Sequence, residues 1–220
     1  MSLVLYMPVR FAAQQAGLPV PLERLSGTLR LGQMRLDQDH RLVWKVAWQD
    51  SLTGGALTLD LTLAGPGTDL AGRVQLGPFR QQLGPVNGRL AWPLVEAIVP
   101  TADITCALSA IIQDVTLVQH RAARSGTGNL RSSEGSCMRP GVTDAPVPIP
   151  AMIVRVSPGL PDIVAAITAR DAPDVPLVTG RLTDADRIMV TIHRAGAAMV
   201  PGMPSSSDSE LDLPLAIFLP

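Results

Sequence analysis

Residues 57–63 read Leu57-Thr58-Leu59-Asp60-Leu61-Thr62-Leu63. Leucine at every second position, with hydroxyl and carboxylate side chains between, fits an extended strand with one apolar and one wet face. Successive side chains of a strand point to opposite sides; a helix would scatter the same four leucines around its axis. The period of two recurs at Leu42, Trp44, Val46 and Trp48. It returns at Leu70, Val74 and Leu76 with Gly72 in phase, and at Val86, Leu90 and Trp92 with Gly88 in phase. Ile104, Cys106 and Leu108, then Val115 and Leu117, then Met152, Val154 and Val156 continue it. Residues 178–182 and 188–192 read as a hairpin turning at Asp184-Ala185-Asp186. The fold class that follows is mainly β: strongly curved antiparallel sheet or sheets, a half-barrel or open sandwich, with one or two short helices.

Some segments break the pattern. Leu29 and Leu31 are odd in parity while Met34 and Leu36 are even, so one extra residue near Gly32, a β-bulge, is expected to restore the face. Residues 8–17 suit a short helix, with Pro8 in its first turn and Gly17 at its end. Residues 94–99, between Pro93 and Pro100, suit one or two helical turns, and 163–169 fit helix or strand equally. Residues 121–150 and 201–210 are rich in Gly, Ser and Pro and read as loops. Beyond them Leu211, Leu213, Leu215, Ile217 and Leu219 alternate, and Pro214 inside that run predicts an edge strand.

A short pattern repeats: apolar, any, Gly, any, apolar. It occurs around Gly27, Gly72, Gly88 and Gly180, at irregular spacing. A glycine within a strand permits a bend or the close approach of a second backbone. These four are therefore the candidate strand-bending positions.

Composition narrows the function. The net charge is −1 and charged residues make up 17%, without the basic excess of a nucleic-acid binder. Lys45 is the sole lysine, so any chemistry needing an amine nucleophile falls to it. Two cysteines, Cys106 and Cys137, permit one disulfide in an oxidising compartment; two buried thiols are the alternative. The chain opens Leu3-Val4-Leu5-Tyr6-Met7-Pro8, which reads as the outer end of a membrane span, an added start, or an ordinary strand. Residues 1–7 are set apart on that ground, and residues 8–220 form the β-rich domain, with a sub-boundary near 100–104.

The chain shows no catalytic signature. His40, His120 and His193 are far apart in sequence and away from the cysteines, so no zinc pattern forms. Asp37-Gln38-Asp39 and Asp184-Ala185-Asp186 lack the glycine and closing glutamate of a calcium loop and read as turns. Gly126-Thr127-Gly128 has Arg131 where a third phosphate-cradling glycine belongs. Trp44, Trp48 and Trp92 fall in phase with the apolar face, as packing residues do. No catalytic, cofactor-binding or metal residue is assigned. A hydrolase built from dispersed carboxylates or serines is the remaining enzymatic alternative.

The order of motifs carries a resemblance: Leu25-Ser26-Gly27-Thr28-Leu29, Leu42-Val43-Trp44, Gly54-Gly55-Ala56-Leu57-Thr58-Leu59, Leu70-Ala71-Gly72-Arg73-Val74, then Val86-Asn87-Gly88-Arg89-Leu90. It resembles protein N of the bacterial type II secretion system, the general secretion pathway, over residues 3–100 and more loosely to 220. Arg30 stands where that family often has tryptophan, and the 121–150 segment is peculiar to this chain. The resemblance implies an inner-membrane protein with one N-terminal span and a periplasmic β domain. It further implies a non-enzymatic accessory or scaffold role, with no cofactor and no nucleic acid, and with other secretion subunits as partners. The alternative on the same bent sheet is a carrier of lipid or another hydrophobic ligand.

Overall fold

The structure is a computed structural model and describes residues 6–11, 22–36, 39–94, 105–120, 123–139, 141, 145–158, 162–183, 187–199 and 208–214. Thirteen antiparallel strands form one sheet that stays open and does not close into a barrel. In chain order they are β1 (Leu25–Gly27), β2 (Leu31–Arg35), β3 (Arg41–Val46), β4 (Leu57–Gly65), β5 (Thr68–Leu76) and β6 (Arg80–Ala91). After the short β7 (Thr105–Ala107) come β8 (Ser109–His120) and β9 (Ala123–Ser132), then the short β10 (Gly135–Met138) and β11 (Val147–Ile149). The sheet resumes with β12 (Met152–Pro158), β13 (Ile163–Ala169), β14 (Ala172–Leu182), β15 (Arg187–Ile192) and β16 (Ser209–Pro214). Spatial order follows chain order, and β7, β10 and β11 make a separate three-stranded sheet. β6 and β8 pair along most of their length. The two halves of the chain thus share one sheet across the expected sub-boundary, whose residues 100–104 lie outside the described ones.

The register carries the leucine alternation across the whole ladder. Leu61 lies opposite Trp44 on one side and Gly72 on the other. Leu83 lies opposite Val74 and Leu117, and Leu117 opposite Gly126. Val154 joins Leu130 to Ile167, and Val178 joins Ile167 to Ile192. Directly paired residues point to the same side of a sheet. One face is therefore continuously apolar, while Asp60, Arg73, Gln82, Asn129, Arg155, Arg181 and Thr191 stand on the other.

Curvature is directed toward the apolar face. β5 and β14 are six strand spacings apart, about 29 Å of contour at ~4.8 Å per step. Even so, Val74 and Leu182 line a common cavity. Glycines on the inner side allow this bend. A Cβ on Gly126 would stand 2.9 Å from both Ile163 Cγ2 and Leu117 Cδ2, and one on Gly88 (φ 137°) would reach 2.0 Å from Asp69 O.

The helix that follows β3 sits on the outer, polar face. Helix α1 (Trp48–Gly54) ends on Gly55 in the left-handed conformation, φ 63°. It is fastened through Asp50 to Arg73 at 2.6 Å, and Ser51 Oγ accepts the Thr58 N–H at 2.9 Å. Helix α2 (Arg194–Ala197) lies on β14, where Gly196 meets the Leu177 backbone and Ala197 is fully enclosed.

Several expectations need correction. The parity slip at 27–36 comes from a hairpin: Gly27 pairs with Gly32, and the Thr28 N–H donates to Leu31 O, so a tight turn and no bulge resets the face. Trp48 opens α1 and does not extend β3. Segment 121–150 holds three strands, β9, β10 and β11, where loop was expected. In β9 the inward positions run Arg124, Gly126, Gly128 and Leu130, so no apolar alternation marks it. Segment 163–169 is a strand, β13. β16 pairs with β15 alone, which makes it the edge strand that Pro214 indicates. The expected helices over 8–17 and 94–99 are described only at 9–11 and 92–94, where the backbone is helical. The turn at 184–186 and the N-terminal residues 1–5 lie outside the described residues. No helix among those described is long and apolar enough to cross a membrane.

Candidate functional site

A sheet with one apolar face ordinarily buries it under a second layer. Here helix α1 lies on the opposite face, and on the concave apolar face Val9 covers Met34 and Trp44 at the β1 end while leucines further along stay partly exposed. Eleven apolar residues are buried among those described, and the leucines of β4 are not among them. Leu57, Leu76, Leu83 and Leu117, all on the concave face, remain 37–43% exposed. At the β1 end, Val9 and Leu25 pack with Leu29, Met34 and Trp44.

The concavity deepens into a cavity of about 360 Å³. Its floor is Val74 and Leu76 from β5, Leu83 from β6 and Leu117 from β8; its far wall is Ile163 and Leu182. One register row at the mouth is polar: Gln81 lies opposite Gln119, and Gln119 opposite Arg124. All three side chains line the cavity. Arg124 Nη1 also donates to the carbonyl of Thr183 at 3.4 Å, across the mouth at the end of β14. One step further in, the row is Val74, Leu83, Leu117 and Gly126. The groove thus passes from amide and guanidinium to hydrocarbon within one residue pair.

The separate three-stranded sheet carries a covalent staple. Cys106 lies opposite Cys137 in the β7–β10 ladder, and the two are joined as a disulfide. Both are buried with Ile149, and Trp92, Leu108 and Met152 pack around them. Closing a loop with a separation of 31 residues stabilises the fold by about 3–4 kcal/mol in the chain-entropy account.

The four candidate glycines have different surroundings. Gly27 (φ 95°) forms the β1–β2 turn, with Leu31 O 2.5 Å from a built Cβ. Gly72 faces Val86 at 3.0 Å, and Gly88 abuts the β5 backbone. Gly180 has nothing nearer than Ala165 at 4.0 Å. Gly126 and Gly128, which sequence reasoning assigned to a loop, press against concave-face side chains more closely than Gly180 does.

Titratable groups lie mostly on the outer face. Arg73 joins Asp60 at 2.8 Å and Asp50 at 2.6 Å, and the hydrogen bond from Asp60 chiefly raises its already high pKa. Asp208 is held below the usual carboxylate range by the Arg194 backbone N–H and then by His193. Its two oxygens accept from Arg194 N at 2.9 Å and meet His193 Nδ1 at 3.1 Å. Arg30, where the resembling family often has tryptophan, lies over the rings of Tyr6 and Trp48. His40 is buried in the β2–β3 connection against Gly65, and His120 ends β8. Among the described residues no three His, Cys, Asp or Glu side chains gather as a metal site. No family model, curated protein or solved structure matches the chain.

Proposed function

We propose that this chain acts by contact and not by catalysis, as an accessory subunit of the type II protein secretion machinery. In this reading an N-terminal span tethers it to the bacterial inner membrane and the sheet stands in the periplasm. The observation that carries the contact role is the concave apolar face, on which Leu57, Leu76, Leu83 and Leu117 stay 37–43% exposed. Apolar surface of that extent on a folded domain marks a place where another molecule sits. The secretion assignment is supported by the five motifs of residues 25–90, which fall on β1, β3, β4, β5 and β6 of the one sheet. The disulfide supports an oxidising compartment.

The test is export of a folded enzyme by a bacterium lacking this gene and, in the strain with the gene restored, photo-crosslinkers placed at Leu83 on the concave face and Leu211 on the edge strand. Loss of export, with crosslinks to secretion subunits, is the expected result. Normal export with no such crosslink overturns the assignment. A second reading, a hydrophobic-ligand carrier on the same sheet, is favoured by the cavity between β5 and β14.

A further inference from the structure

We propose that the edge of β16 takes up one extended segment of a partner protein, cationic and apolar at alternate positions, as a fourteenth strand of the sheet. This rests on the contact role proposed above and names its surface and the chemistry of the partner.

An open sheet has two edges, and this chain treats them differently. At the β1 edge the chain covers itself. Pro8 bridges Thr28, the Leu29 N–H donates to Met7 O at 3.2 Å, and Arg10 Nε donates to Leu25 O at 2.6 Å. At the other edge, among the described residues, β16 pairs with β15 alone. Successive residues of a strand turn their N–H and C=O groups to opposite sides. About half of the six residues of β16 therefore present theirs away from the sheet. Such a row is a template for a further strand.

The side chains select which strand. Glu210 lies opposite Thr191 and Asp212 opposite Met189, on the outer face, while Leu211 lies opposite Val190, on the concave face. All three are exposed, Leu211 at 44%. Asp212 accepts from Arg187 Nε at 2.7 Å, whereas Glu210 forms no ion pair among the described residues. A second copy of this chain is disfavoured by its own charge. Facing residues of paired strands point to the same side. Any antiparallel β16–β16 register that keeps the two concave faces continuous sets Glu210 against Asp212, or one of them against itself. Like charges directly opposite are destabilising. A segment with Lys or Arg facing Glu210 and Asp212, and an apolar residue facing Leu211, matches all three positions.

The probes are two capped nonapeptides, one alternating lysine with valine and one alternating glutamate with valine. Each is titrated into the isotope-labelled full chain, with the β16 amides followed by NMR and hydrogen exchange. The lysine peptide is expected to bind and to slow exchange along β16, about tenfold more tightly than the glutamate peptide, the size of two cross-strand charge pairs. Glu210→Gln should weaken the lysine peptide about two- to fivefold, and Glu210→Lys should weaken it further, both with thermal unfolding near that of the wild type. N-methylation of the lysine peptide throughout keeps its charges and removes its backbone donors, and should abolish binding. Absence of binding overturns the inference, as does equal affinity for the two peptides or full affinity of the N-methylated one. Protection of β16 amides that grows with protein concentration, with no peptide present, overturns it in favour of a second copy. If crosslinks from Leu83 to secretion subunits persist in any of these events, the contact role stands and its surface is the concave face. Peptide binding without an export phenotype keeps the edge site and removes the secretion assignment.

Discussion

Alanine at Gly88 and alanine at Gly180 test whether backbone approach shapes this sheet. The two glycines share a sequence pattern and differ in surroundings. At Gly88 the φ of 137° is one that L side chains rarely adopt, and a Cβ would stand 2.0 Å from Asp69 O and 2.9 Å from Leu70 Cα. The conformational cost is about 1–3 kcal/mol. Relief of the overlap requires movement of the β5 ladder, which adds about 1–3 kcal/mol. Gly88→Ala is therefore expected to cost about 2–6 kcal/mol. At roughly 2–4 °C per kcal/mol for a chain of this size, that is a fall of about 4–24 °C in Tm. Gly180 meets nothing within van der Waals distance except Ala165 at 4.0 Å. Gly180→Ala should lie within about 1 kcal/mol of wild type, on the stabilising side through the unfolded chain's lost freedom. Urea unfolding followed by circular dichroism, with the disulfide intact, measures both. Equal stability of the two variants would refute the argument that close approach at β5–β6 is what demands glycine.

Reduction of the disulfide, or Cys106→Ser with Cys137→Ser, should lower stability by about 3–4 kcal/mol in the same urea assay. Leu177→Ala, at a site 4% exposed, should cost about 2–5 kcal/mol. Leu83→Ala, at 39% exposure, should cost about 1 kcal/mol; equal losses would mean that the groove is closed in solution. The Asp208 contacts should strengthen β16 docking above the ordinary carboxylate range, where the unfolded carboxyl is also ionised. They should fade as acid takes the pH down through the depressed folded value. Hydrogen exchange of β16 amides should show this loss in wild type and not in Asp208→Asn.

The strands that the sequence made legible are those with large apolar residues at most inward positions, β4, β5 and β12 among them. One it hid has inward positions occupied by glycine, β9, where Leu117 and Val115 of β8 and Ile163 of β13 fill the space instead. Apolar alternation records what a strand carries and is silent about space that its neighbours fill. The Gly27–Gly32 region misled for a related reason: a bulge and a tight hairpin both shift parity by one, and long-range pairing decides between them. The polar row at Gln81, Gln119 and Arg124 had no sequence signal, since its members come from three strands and meet through register alone.

Because spatial order follows chain order, the sheet behaves like a ruler. Adding or deleting a hairpin at the β16 end leaves every other pairing, and the parity of every other side chain, untouched. The breadth of the trough can thus be reset by duplicating or losing one pair of strands. The disulfide staple and the Gln81–Gln119–Arg124 mouth, both built from strands nearer the middle, would persist through such a change. Related sheets of different lengths would then be expected to differ in reach before they differ in what they grip.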